Sequence, residues 1–136
     1  GLLNTSTGAF LSNGGTWVDA SSREWKHQFE VVNASAVLAR VRSLPINEWS
    51  YKRESVDVRH IGPVAEDFYA QFGLGSSEQH IASLDGVGVS LLSIQALADE
   101  LESLKGDNDE LRAGLERLQR ENVELHARLD RVERRP

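Results

Sequence analysis

Residues 94–132 read IQALADELESLKGDNDELRAGLERLQRENVELHARLDRV. Ile94, Leu97, Leu101, Leu104, Asn108, Leu111, Leu115, Leu118, Asn122, Leu125, Leu129 and Val132 recur at alternating spacings of three and four, the period that keeps one helix face turned toward a partner helix. The stretch is a coiled coil. With Leu101 at position a, Ile94, Leu115 and Leu129 share that position with Asn108 and Asn122, and Leu97, Leu104, Leu111, Leu118, Leu125 and Val132 take position d. In a parallel, in-register pair each g residue meets the e residue five places on. Asp107 then faces Arg112, Arg128 faces Glu133, Glu121 faces His126, and Gly114 faces Gln119. None of these pairs is repulsive, so parallel chains are expected. Asn at a with Leu at d leans toward two strands, which leaves dimer and trimer open on the zipper alone. A helix from about Val89 to Arg134 would run roughly 70 Å at 1.5 Å per residue, and is expected to project beyond any globular part.

The rest of the chain limits what that helix serves. At 136 residues there is room for one modest domain and an appendage. Apolar residues make up 40% of the chain, but many leucines lie in the last third, so a globular core would gain from oligomerisation. The net charge is −6 and no segment forms a basic arm, which argues against nucleic-acid binding. The residues before the zipper, GVGVSLLSIQALADELES, hold no Lys or Arg, which argues against a basic leucine zipper. Without cysteine there are no disulfides or thiolate metal sites. No apolar run reaches the ~20 residues of a membrane span, and Gly1–Phe10 lacks the pattern of a signal peptide. The expectation is a soluble product, a fragment of something longer.

Upstream of the helix the elements are short. GLLNTSTGAFLSNGGTWVDA, residues 1–20, reads as extended segments joined by a turn at Asn13-Gly14-Gly15. A helix is expected over Ser35–Ser43, with Ser35 as N-cap, Val37, Leu38 and Val41 on one face, and Pro45 ending it. Ile46–Lys52 alternates as a strand. Pro63 suits the first turn of a second helix that runs to Phe72 and stops at Gly73. His80–Leu84 is expected to be a further strand, with Asp85-Gly86 punctuating before the long helix. The fold class is α+β.

GAFLSNGGTWVDASSREWK (8–26) resembles the opening of the intramolecular chaperone domain found at the C-terminus of phage endosialidases, tail spikes and tail fibres. VRHIGPVAEDFYAQFGLG (58–75) resembles that family's second block, in which Arg-His-Ile-Gly-Pro leads into a helix. The resemblance implies a homotrimer that templates an upstream fibrous segment of the same chain and then cuts itself off. On that basis residues 1–20 are the end of the passenger, 21–88 a globular chaperone domain and 89–136 the helix of a parallel trimeric coiled coil. The family motif Ser-Asp-x-x-Leu-Lys, cut just before its Ser, aligns with Ser21-Ser22-Arg23-Glu24-Trp25-Lys26. The cut is therefore expected between Ala20 and Ser21, with Ser21 and Lys26 as a catalytic dyad. Ser22 stands where the family has Asp, Trp25 where it has Leu, and Glu66 where Gln is common.

A serine hydroxyl is a poor nucleophile without a neighbouring base, and Lys26 can be that base only when neutral. Desolvation favours the neutral amine, so the site is expected to form when Trp25 and other apolar groups close around it on assembly. Five residues apart, the two side chains share no face of a regular helix or strand. A bend must bring them together, or each lysine must serve a neighbouring chain. His60 is a candidate to assist proton transfer or to hold a loop. Trp17, Trp25 and Trp49 read as core or subunit contacts, and Asn108 and Asn122 as register-setting residues. Glu66, Asp67 and Asp85 do not form a spaced metal set, so no metal and no cofactor are expected. Two rivals to the self-releasing chaperone remain: a permanent trimerising clamp without cleavage, and a dimeric zipper scaffold. The resemblance also implies assembly in the cytoplasm of an infected bacterium and absence of the chaperone from the finished particle.

Overall fold

Glycine and hydroxyl-bearing residues set the first turns. The structure, a computed structural model, describes residues 3–134; residues 1–2 and 135–136, which close the two terminal segments, lie outside the described residues. Strands β1 (Leu3–Asn4), β2 (Phe10–Leu11) and β3 (Trp17–Val18) pair as an antiparallel meander, with Leu3 opposite Leu11 and Phe10 opposite Val18. The β2–β3 turn falls where Asn13-Gly14-Gly15 places it. Gly15 takes φ 78°, and the Ser12 N–H donates to the Thr16 carbonyl at 2.8 Å.

Helix α1 (Ala34–Ser43) is capped by Asn33, whose side-chain oxygen accepts from the Ala36 N–H at 3.0 Å. Ser35, the expected cap, lies inside the first turn. Both are N-cap residue types, and it is the extended backbone at Asn33 that starts the helix there. Strands β4 (Asn47–Trp49) and β5 (His60–Gly62) form a hairpin with Trp49 opposite His60. Helix α2 (Ala65–Phe72) ends at Gly73, whose φ of 61° is the left-handed stop that glycine supplies without cost. The strand expected over His80–Leu84 is absent: α3 (Ser83–Glu133) begins inside it. Asp85-Gly86 does not punctuate either, because it sits in the first turns of α3. A helical glycine costs ~1 kcal/mol relative to alanine, too little to stop a helix otherwise well specified.

The chain divides into two units, Gly1–Ser93 and Ile94–Pro136. In the first, the buried apolar side chains among the described residues are Ala9, Val37, Leu38 and Phe68. Helix α1 packs on α2, and Phe68 meets Phe72 with ring centroids 4.9 Å apart. Four side chains make a small core for a unit of this length, and Phe29, Val31, Val56 and Ile61 remain exposed. In the second unit all ten apolar a and d residues from Ile94 to Val132 are exposed, at 52–73%. The fold is α+β: short strands and helices followed by one long helix. No helix among the described residues is long and apolar enough to cross a membrane.

Candidate active site

Between β3 and α1 the chain makes a single 3-10 turn, Arg23–Trp25. Ser22 caps it, its hydroxyl accepting from the Glu24 N–H at 3.3 Å. The Trp25 N–H donates to the Ser22 carbonyl and the Lys26 N–H to the Arg23 carbonyl, both at 3.2 Å. Lys26 then leaves in an extended conformation, φ −121° and ψ 151°. This bend brings the ends of the hexapeptide together: Lys26 Nζ donates to Ser21 Oγ at 2.6 Å. The two residues that cannot meet across a regular element therefore meet within one chain. Asp, the family's residue at position 22, is as good an N-cap as Ser, so the exchange preserves the turn.

The bend has further supports. The Arg23 guanidinium lies 4.8 Å from the centre of the Phe29 ring, a cation–π contact that ties the start of the turn to the segment beyond it. Gln28 adopts φ 55°, a left-handed conformation uncommon outside glycine, and so redirects the chain just after Lys26. Ser21, Trp25 and Lys26 are all exposed in the single chain, and Ala20 is half-buried. The apolar closure expected around Lys26 is not present within one chain. The turn's hydrogen bonds use the N–H groups of Glu24, Trp25 and Lys26.

His60 is placed elsewhere. Its Nε2 lies 2.9 Å from Glu54 Oε2, and its ring stacks on Trp49 at 4.8 Å and meets Tyr51 edge-on at 5.3 Å. Next to it Arg59 Nε donates to Glu48 at 2.9 Å and its Nη1 to Ser50 at 3.2 Å. These contacts pin the long β4–β5 loop to its hairpin, and neither Ser21 nor Lys26 takes part in them. Among the described residues no group of three or more His, Asp or Glu is placed to hold a metal ion.

Residues 21–73 match the model of a peptidase family described as chaperone of endosialidase. This segment is similar to the endosialidase-chaperone family. The match opens on Ser21, the residue held by Lys26, and closes on Gly73, the residue that ends α2. It takes in the 3-10 turn, α1, the β4–β5 hairpin and α2. The match supports an intramolecular chaperone role, and the long helix is compatible with a coiled coil. A search of curated proteins found no match to the chain.

The resemblance to the family motif singled out Ser21 and Lys26 in the sequence, but Gly8 and Phe29 escaped that reading. Gly8 stands in the loop between β1 and β2 at φ +88°, where a Cβ would lie 3.4 Å from Cη2 and Cζ3 of Trp25 and 3.6 Å from the Ala20 Cβ. No spacing rule connects a glycine to a tryptophan 17 positions on; only the positive φ hints that the position is special.

Proposed function

We propose that this chain is a homotrimeric intramolecular chaperone that templates an upstream tail-fibre or tailspike segment and then releases itself between Ala20 and Ser21. The observation that carries the proposal is the 2.6 Å contact between Lys26 Nζ and Ser21 Oγ, at the first residue of the family match. With Lys26 neutral, the same line lets Nζ take the hydroxyl proton while Oγ attacks the Ala20 carbonyl carbon. The tetrahedral intermediate is stabilised by the Ser22 and Arg23 N–H groups. It collapses as the Ala20–Ser21 C–N bond breaks, and Lys26 returns the proton to the departing Ser21 amine. The product is an ester between Ala20 and Ser21 Oγ. Water then adds to that ester and its C–O bond breaks, leaving a carboxylate on Ala20 and the free hydroxyl on Ser21.

The exposed heptad face supports assembly, since ten apolar side chains in a regular stripe need a partner. Three copies rather than two is the number the family resemblance implies. On this reading the site is completed by assembly, which makes cleavage a report on completed folding. On this reading assembly takes place in the cytoplasm of an infected bacterium and the chaperone is absent from the finished particle. A permanent clamp would use the same stripe, but it has no use for the Ser21–Lys26 contact. The test is intact mass spectrometry under denaturing conditions of the parent chain beside Ser21→Ala and Lys26→Ala. A fragment beginning at Ser21 in the parent and missing from both variants is expected; one uncut mass in all three, from assembled protein, would favour the clamp.

A further inference from the structure

We propose that the β1–β2 loop, Thr5–Ala9, is a positioning element for self-cleavage: Gly8 seats the Trp25 indole beside Ala20, so the site is complete only when the upstream meander is folded. The inference rests on the self-cleavage reading and adds a control to it. The loop is rigidly held. The Thr5 N–H and hydroxyl both donate to the Ala9 carbonyl, at 2.8 and 2.9 Å, and the Gly8 N–H donates to the Thr5 carbonyl at 3.2 Å. Thr5 and Thr7 share a further hydroxyl contact at 2.9 Å. Beside it Ala9 is buried at 8% exposure, in a part of the chain where most side chains face solvent.

Trp25 is 65% exposed and is not held by the core. What its ring meets is the loop: Ser6, Thr7, Gly8 and Trp25 line one groove, and a Cβ at Gly8 would already be in van der Waals contact with both Trp25 and Ala20, so a branched side chain there would press on them. Trp25 is also the last residue of the 3-10 turn and precedes Lys26. Shifting the ring therefore shifts the turn that carries Nζ to Ser21. Ala20, whose carbonyl is attacked, shares the same contact. One glycine of the passenger thus lies next to the residue that precedes each member of the reacting pair, and it does so from a loop that exists only when β1 and β2 are paired. Folding of the upstream segment is in this way read out at the bond to be cut.

The experiment follows the first-order appearance of the Ser21-started fragment on refolding the full chain, by intact mass. It compares the parent with Gly8→Val, Trp25→Ala and Trp25→Phe, and measures oligomer mass by sedimentation in each. Misplacing a reacting group by a fraction of an ångström to an ångström costs about tenfold to hundredfold in rate, and that slowing is expected for Gly8→Val and Trp25→Ala with the oligomer unchanged. Trp25→Phe keeps a flat ring for Gly8 and should restore most of the rate. A rate equal to the parent's in Trp25→Ala, or no recovery in Trp25→Phe relative to Trp25→Ala, would overturn the proposal, even if Gly8→Val fails to assemble. A parent chain that assembles and never cuts defeats the self-cleavage reading itself, which is a different result.

Discussion

Lys26 reaches Ser21 because one capped turn of three residues folds the hexapeptide back on itself. Arg cannot lose its proton in a protein, so Lys26→Arg is expected to stop cleavage as completely as Lys26→Ala, although it keeps a long nitrogen-bearing side chain; N-terminal sequencing of the products checks this. Ser22→Asp should cut at a rate close to the parent's, whereas Ser22→Ala loses a cap worth ~1 kcal/mol and should cut several-fold more slowly in the same assay. His60→Ala should leave the cleavage rate within about twofold while lowering the melting temperature, because the aromatic contacts it removes are worth about 0.5–1.5 kcal/mol. At this scale the sequence displayed Ser21 and Lys26 as a pair only through a motif. Neither the 3-10 turn nor Gly8 was legible, since each depends on backbone angles and on a loop brought from elsewhere in the chain.

Among the elements, those whose signals are local were the most legible. Gly73 ends α2 as expected, and the heptad stripe marks the long helix residue by residue. The misreadings arose where two local signals of similar strength compete: Asn33 against Ser35 for a cap, and Asp85-Gly86 as a turn against continuation of α3. The strands are two or three residues long, too short for alternation to declare them, and they are held by pairing across loops. Phe68 joins α2 to the small core at 4% exposure, and Phe68→Ala should lower stability by about 3 kcal/mol, read from urea unfolding of the uncut Ser21→Ala protein. Gly106 lies at an outer heptad position, and a Cβ there meets nothing within 4 Å. Gly106→Ala should therefore stabilise the helix by ~1 kcal/mol, seen as a higher melting temperature at unchanged oligomer mass.

For the whole molecule the governing fact is how little apolar surface one copy buries. The first unit has a core of four side chains and the second presents an uncovered stripe of leucines, so stability is expected to come from other copies. Introducing charge into two d positions at once, Leu111→Glu with Leu118→Glu, should reduce the assembly to single chains and abolish cleavage. This α+β organisation was readable because periodicity is a property of sequence, whereas oligomer number is not: Asn108 and Asn122 at a lean one way and the family resemblance the other. The most direct measurement is a time course of native mass spectrometry on the full chain from the start of refolding. The account predicts a species of three copies of the 15.1 kDa chain that forms first and then loses residues 1–20 from each copy. A stable assembly whose chains stay uncut, or cleavage that precedes assembly, would contradict it.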